Sequence, residues 1–238
     1  MSGEALLSCE GLGHRYGRRW VFRGVSFRLR SGEAVVVSGE NGSGKSTFLA
    51  LLAGLVRPRE GTVARMARPG FCPQDALLYP YLTPIEHFAL FGAAAGMSPE
   101  AIRRNGSSLL ETLSFSTDAR RPVHLLSGGT RQKLNLALAL LPDPPVALLD
   151  EPYAGFDLEA YHSFVGWLED ARRDGRSIVV VSHLAYDRER YDRRLELRSG
   201  ALTDAAPSFA ACISPGPPPV TMSQPISARA AASRFTSS

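Results

Sequence analysis

Apolar and polar residues alternate along residues 25–29, and a continuous apolar run follows at residues 34–37. Alternation is typical of a strand with one buried face, whereas a short apolar run is typical of a strand that is buried on both faces. Ser31 and Gly32 lie between the two segments and provide a turn. The first part of the chain is therefore predicted to form a hairpin edge that leads into a central strand.

Segments with helical periodicity alternate with further short apolar runs. Apolar residues recur at helical spacing in residues 48–55 and 158–173, and buried strands are predicted at residues 146–149 and 178–181. Strands that alternate with helices usually form a parallel sheet. The predicted fold class is therefore α/β with a parallel central sheet.

The segment between these strands contains two helix starts. Thr83-Pro84-Ile85-Glu86 combines a capping box with proline at the first helical position, and Ser98-Pro99-Glu100 begins a second helix in a similar way. Residues 75–135 are therefore predicted to form a helical subdomain.

Length and composition favour one domain followed by a tail. The chain has 238 residues, of which 44% are hydrophobic, and this is enough for one large domain, predicted over residues 1–205. Residues 206–238 are rich in Ala, Ser and Pro and carry almost no charge, so they are predicted to be disordered. No apolar run is long enough to span a bilayer, and we expect a soluble protein that is not exported.

Charge and cysteine usage exclude several classes of function. The net charge of +4 arises from 27 basic and 23 acidic residues that are interspersed, so nucleic-acid binding is not indicated. Cys9, Cys72 and Cys212 are far apart and lack C-x-x-C spacing, which argues against a zinc site or a disulfide framework. A reducing cytosol is the expected compartment.

A glycine-rich loop follows the apolar run at residues 34–37 and precedes the first helix. It fits the pattern G-x-x-x-x-G-K-[ST], in which backbone N–H groups and a helix N-terminus hold phosphate. Lys45 is predicted to contact the β- and γ-phosphates, and the hydroxyl of Ser46 is predicted to bind Mg²⁺. The predicted phosphate-binding residues are Gly39, Glu40, Asn41, Gly42, Ser43, Gly44, Lys45, Ser46 and Thr47.

Two carboxylates follow the apolar strand at residues 146–149. Asp150 is predicted to hold Mg²⁺, directly or through water, and Glu151 to orient or deprotonate the attacking water. Alone, such a pair is usually a solvated loop, but the phosphate loop earlier in the chain favours the catalytic interpretation. The two motifs together predict an Mg-ATP or Mg-GTP hydrolase.

A third motif narrows this prediction. With Leu125-Leu126-Ser127-Gly128-Gly129-Thr130-Arg131-Gln132 ahead of a predicted helix, the sequence resembles the ATP-binding cassette (ABC) family. Alone, Ser127 and the two glycines could be an ordinary helix cap or a second anion site. The resemblance implies a P-loop NTPase fold with a small antiparallel β-subdomain and a helical subdomain. It also implies a dimer in which Ser127, Gly128 and Gly129 of one subunit close over the ATP held by Lys45 of the other.

Four further residues match elements of this family. The resemblance implies that Tyr16 stacks on adenine and that Gln74 links Mg²⁺ and water to the membrane partner. It also implies that Asp157 communicates between the two ATP sites and that His183 contacts the γ-phosphate. The alternatives are core packing for Tyr16, a plain surface position for Gln74 and a structural role for His183.

The resemblance covers residues 4–204 and implies an ATP hydrolase that uses ATP and Mg²⁺ to drive an ABC permease in the membrane. The subunit would act as a homodimer or paired cassette, peripheral to the cytoplasmic face of the membrane, with a small two-protein exporter as the leading hypothesis. One alternative is a soluble ABC-type ATPase acting on ribosomes or DNA, although such relatives normally carry two cassettes or a coiled-coil insertion. Another is a regulatory module with little turnover.

Residues 77–91 are rich in apolar and aromatic side chains and follow Gln74. They are predicted to dock a coupling helix of the permease. The alternative is that these side chains fill the core of the helical subdomain.

Overall fold

The computed structural model describes residues 5–115, 118–182 and 190–205. The strands are β1 (Ala5–Tyr16), β2 (Arg19–Arg30), β3 (Ala34–Ser38), β4 (Glu60–Arg65), β5 (Gly70–Cys72), β6 (Val146–Asp150), β7 (Ser177–Val181), β8 (Arg193–Arg198) and β9 (Ala201–Asp204). The helices are α1 (Lys45–Ala53), α2 (Pro84–Ala94), α3 (Pro99–Thr112), α4 (Gly128–Leu140) and α5 (Leu158–Arg173). Two single 3₁₀ turns, Asp118–Arg120 and Val123–Leu125, lie between α3 and α4.

The central sheet has the strand order β5-β6-β7-β3-β8-β9. Its first five strands are parallel and β9 is antiparallel to β8. Every residue of β6 and β7 is buried, as is typical of parallel strands that are covered on both faces. The predicted parallel α/β sheet is therefore confirmed.

The two faces of this sheet pack against different layers because side chains alternate along each strand. Val36, Leu149 and Val180 belong to a core that they share with the helices α3, α4 and α5. The other face, which includes Val37 and Leu148, packs with α1 and with the antiparallel strands.

A second sheet, with the order β2-β1-β4, is antiparallel and forms the small β-subdomain. It packs on α1 through Phe48, whose ring centroid lies 6.2 Å from that of Phe22 and 5.7 Å from that of Phe27. This packing fixes the β1–β2 hairpin next to the start of α1, which is the predicted phosphate-binding position.

Local signals placed most helix ends correctly. The Thr83 capping box and the Ser98 cap are both formed, with proline at the next residue. The prediction that the first helix includes Leu55 is wrong, because the helix ends at Ala53. Gly54 follows in the left-handed region with φ 82°, and Leu55 is exposed.

Within the described part of the chain, no helix combines the length and the apolar character required to cross a membrane. The predicted tail, residues 206–238, lies outside the described residues.

Candidate functional site

An open cleft of about 1250 Å³ lies where β3 and β6 end. Its walls come from the loop after β3, the end of β6, the β1–β2 hairpin and the β8–β9 turn. Ligands of open α/β sheets commonly bind beyond the carboxyl ends of the strands. The predicted site residues that line this cleft are Tyr16, Asn41, Gly42, Ser43, Gly44, Lys45, Ser46, Thr47, Gln74, Asp150 and Glu151.

The remaining predicted residues lie elsewhere. Gly39 and Glu40 belong to the same loop and contribute backbone carbonyl oxygens. The described residues that line the cleft do not include Ser127, Gly128, Gly129 or Asp157. His183 lies outside the described residues.

The loop needs glycine at two positions for steric reasons. Gly39 has φ 149°, and a Cβ atom there would overlap the carbonyl oxygen of Leu197 in β8. Gly44 has φ 103°, and a Cβ atom there would overlap the side chain of Val21 in β2. The loop can therefore lie close to both neighbouring strands only because these residues lack side chains.

Lys45 places a cation beneath this loop. The residue is almost fully buried, with 5% exposed, and its Nζ donates to the carbonyl oxygens of Gly39 and Glu40, each at 2.9 Å. Burial lowers the pKa of Lys45, while the nearby carboxylates of Glu151 and Asp150 act in the opposite direction and favour the charged form. The ammonium is thus held between backbone oxygens and two acids.

Asp150 and Glu151 are both buried at the end of β6. Glu151 has φ 47°, a left-handed conformation that non-glycine residues rarely adopt. Its N–H donates to the Val181 carbonyl at 3.0 Å, and its carbonyl accepts from the Ala154 N–H at 3.1 Å. Backbone strain of this kind is often found at functional sites, where surrounding hydrogen bonds maintain it.

Three oxygen-bearing side chains share the cleft and could hold a metal ion. Ser46 offers a hydroxyl, Gln74 an amide oxygen and Asp150 a carboxylate. Hard oxygen donors of this kind suit Mg²⁺. Among the described residues, no group of three or more His, Cys, Asp and Glu side chains could hold a metal ion. Because all three donors are oxygen atoms, the set of Ser46, Gln74 and Asp150 fits Mg²⁺ better than a transition metal.

Tyr16 lies on the hairpin wall of the cleft. It is 59% exposed, which excludes the alternative that it is a core residue. Its hydroxyl lies 3.5 Å from the Thr47 hydroxyl, and its ring makes an edge contact with His14 at 4.9 Å. The open face of an exposed ring beside a phosphate loop is suited to stacking on a planar base.

The structure adds Trp20 and two arginines to this wall, which the sequence analysis missed. Trp20 lines the cleft with Arg19 and Arg23, and the Arg23 guanidinium lies 4.3 Å from the centroid of the Trp20 ring. The turn after Tyr16 could have indicated these residues, because it pairs Tyr16 with Arg19 across the hairpin.

The segment at residues 127–129 begins α4. Ser127 is the N-cap of α4, because its hydroxyl accepts the Thr130 N–H at 3.1 Å. Gly129 packs so closely on the carbonyl of Gly155 that a Cβ atom would overlap it. Asp157 caps α5 by accepting the Ala160 N–H at 2.8 Å. The two loops that carry Ser127 and Asp157 are therefore in direct contact.

Comparison with known proteins gives matches along most of the chain. Residues 22–154 match a family model described as ABC transporter. The chain is 36% identical over 198 residues to the Nod factor export ATP-binding protein I of Ralstonia nicotianae, covering 78% of this chain and 61% of that protein. It is also 36% identical over 183 residues to the cytochrome c biogenesis ATP-binding export protein CcmA of Hyphomonas neptunium, covering 77% of this chain and 92% of that protein. The chain thus spans less than two thirds of the first of these relatives.

A solved structure shares the fold. A dimeric ATP-binding cassette in a post-hydrolysis state, bound to ADP and Pi, aligns with a TM-score of 0.75 and 26% identity, over 84% of this chain and 97% of that chain. The predicted fold class, a P-loop NTPase with a helical part and a small antiparallel sheet, is confirmed.

The contact between Gly129 and Gly155 generates a testable prediction. Gly129→Ala is expected to lower the free energy of unfolding by about 1–3 kcal/mol, because the new methyl group must displace the Gly155 loop. Gly128→Ala is the matched control, since a Cβ atom there meets no atom within 4 Å, and it is expected to change stability by less than about 0.5 kcal/mol. Urea unfolding measures both variants, and equal effects would contradict the close packing.

Proposed function

The chain belongs to the ABC transporter family, and we propose that it binds and hydrolyses ATP to energise transport through a separate membrane permease. The observation that carries this proposal is the meeting of Lys45, Asp150 and Glu151 in one cleft with a phosphate-type loop. Export is the proposed direction, supported by the names of the two relatives. Neither of these relatives is named for action on ribosomes or DNA.

In the proposed complex, the cleft binds ATP both at its phosphates and at its adenine. Backbone N–H groups of the loop and the N-terminus of α1 hold the phosphates, with Lys45 at the β- and γ-phosphates. Tyr16 stacks on the adenine. Ser46, Gln74 and Asp150 would hold Mg²⁺, which neutralises phosphate charge when it is bound.

Glu151 is the proposed general base for hydrolysis. Its carboxylate accepts a proton from the water that attacks the γ-phosphate, and a positioned base of this kind contributes about 10²- to 10⁴-fold in rate. The hydrogen bonds to Val181 and Ala154 fix its backbone, so the side chain starts from a defined position. His183, which lies outside the described residues, is proposed to contact the γ-phosphate because the sequence resembles the family there.

We place the second half of the ATP site on another subunit. Ser127 and Gly128 are exposed at the start of α4 and are not among the described residues that line the cleft. In the proposed head-to-tail dimer, they and Gly129 cover the γ-phosphate of the partner's ATP. Asp157 lies on the loop that Gly129 contacts, and this contact supports its proposed role in communication between the two sites.

A docking surface for the permease is proposed next to Gln74. Its members are exposed apolar side chains that begin three residues after Gln74, namely Leu77, Tyr79, Tyr81, Ile85, Leu90 and Phe91. Phe88, in contrast, is buried in the helical core, so the alternative of core packing accounts for part of this segment. Exposed apolar groups in such number often mark an interaction site. We propose a coupling helix of the permease as the occupant.

A buried histidine supports the shape of this docking surface. His87 Nε2 accepts the Tyr79 N–H at 2.9 Å, and Nδ1 donates to the Thr83 carbonyl at 2.9 Å. Because one nitrogen accepts and the other donates, the ring is a neutral tautomer. These bonds hold the segment before α2 in place and present Tyr79 and Tyr81 outward.

Replacing Glu151 tests the catalytic assignment. Glu151→Gln is expected to lower the rate of ATP hydrolysis by about 10²- to 10⁴-fold, because an amide cannot accept the proton. ATP affinity, measured by fluorescence titration, is expected to stay within about threefold, since the loop and Lys45 are retained. Glu159→Gln, at an exposed position in the first turn of α5, serves as the control and should keep the normal rate. Normal hydrolysis by Glu151→Gln would refute the role of the base.

Photo-crosslinking tests the docking surface. A crosslinking amino acid at Tyr81, which is 81% exposed, is expected to capture a multi-spanning membrane protein in native membranes. Met66 is exposed to a similar degree on the antiparallel β-subdomain, and the same probe there is expected to capture none. Identical products from both positions, or none from Tyr81, would argue against the assignment.

A further inference from the structure

Two buried amide side chains on α4 connect the segment before Gln74 to Glu151. Gln132 is 7% exposed and Asn135 is 5% exposed. Asn135 Nδ2 donates to the Pro73 carbonyl at 2.7 Å and to Gln132 Oε1 at 3.4 Å. Gln132 Nε2 donates in turn to the Glu151 carbonyl at 3.2 Å. We call these two side chains and their three hydrogen bonds the amide relay.

The chemistry at the two ends of the amide relay fixes its orientation. The backbone carbonyls of Pro73 and Glu151 can only accept, so each amide must turn its NH₂ group toward a carbonyl. Gln132 Oε1 is then left to accept from Asn135, as observed. Rotating either amide by a half-turn would bring two acceptors together, so only one orientation of the two amides satisfies all three hydrogen bonds.

The amide relay acts on a backbone that is already under strain. Glu151 has φ 47°, and its carbonyl accepts from both Ala154 and Gln132. A carbonyl oxygen has two lone pairs, so these two donors use its full capacity. Losing the Gln132 bond would remove one of the hydrogen bonds that support the left-handed conformation, and the Glu151 side chain would be held less firmly in its position.

We infer that Gln132 and Asn135 are positioning residues that hold the Glu151 backbone in a fixed position relative to the segment leading to Gln74 and the docking surface. The inference rests on the proposed function, because it assigns the hydrolytic role to Glu151. Neither residue is among the described residues that line the cleft, so both act through their hydrogen bonds. The buried polar path thus joins the Glu151 backbone to the Pro73 carbonyl, four residues before the docking surface begins at Leu77.

The test removes the hydrogen bonds of the amide relay while changing the volume of the side chains only slightly. Gln132→Met and Asn135→Leu keep volume but lose the N–H donors. Each is expected to lower kcat about 10- to 100-fold while KM for ATP stays within about twofold, because only the position of the base changes. The double variant is expected to be about as slow as the slower single variant, since both changes interrupt the same series of hydrogen bonds.

Asn105→Leu is the matched control. Asn105 Nδ2 also donates to a backbone carbonyl, that of Leu141 at 3.0 Å, but at a site that does not reach Glu151. This variant is expected to keep the normal kcat. If it loses as much activity as Asn135→Leu, or if Gln132→Met keeps the normal kcat, the inference is wrong.

Hydrogen–deuterium exchange provides a readout that does not depend on turnover. Gln132→Met is expected to speed exchange at residues 151–154, where Ala154 donates to the Glu151 carbonyl, and unchanged exchange there would overturn the inference. If the unaltered protein binds ATP but does not hydrolyse it, the proposed function fails. The exchange result then decides by itself whether the amide relay holds the Glu151 backbone.

Discussion

The buried ammonium of Lys45 is the constraint on which the architecture of the site depends. A buried charge is stable only when it is paired and hydrogen-bonded. Two loop carbonyls and the nearby acids at the end of β6 meet this requirement. The strands β3, β7 and β6 are neighbours and run parallel, so their carboxyl ends lie at the same end of the sheet. The loop after β3 and the acids at the end of β6 are therefore close together. The parallel sheet therefore determines where the Lys45 cation lies.

Close backbone packing around Lys45 extends this constraint to other parts of the chain. The loop lies against β8 at Gly39 and against β2 at Gly44, so the central sheet and the β-subdomain both bound it. The hairpin that carries Tyr16 is fixed by the packing of Phe22 and Phe27 on α1. The hairpin wall that carries Tyr16 and the glycine-rich loop thus share one short helix, α1, as their common support.

Features encoded by neighbouring residues could be predicted from the sequence. The apolar runs of β3, β6 and β7, the capping box at Thr83 and the phosphate loop each depend on a few consecutive positions. Contacts between distant segments could not be predicted, such as the approach of Gly39 to Leu197 or the bond from Gln132 to Glu151. Hydrophobic periodicity reports which face of an element is buried but not which polar partner it meets there. For the same reason the sequence did not indicate a role for Gln132 or Asn135.

One chain carries the cleft and, on a separate surface, the exposed start of α4, and we propose that two subunits complete each ATP site. Thiol crosslinking between a subunit with Asn41→Cys and a subunit with Ser127→Cys tests this directly, in a Glu151→Gln, Cys212→Ser background. The described native cysteines, Cys9 and Cys72, are buried. We expect a crosslinked pair that forms with Mg-ATP and is lost without nucleotide. A yield that is independent of ATP, or no crosslinked pair at all, would contradict it.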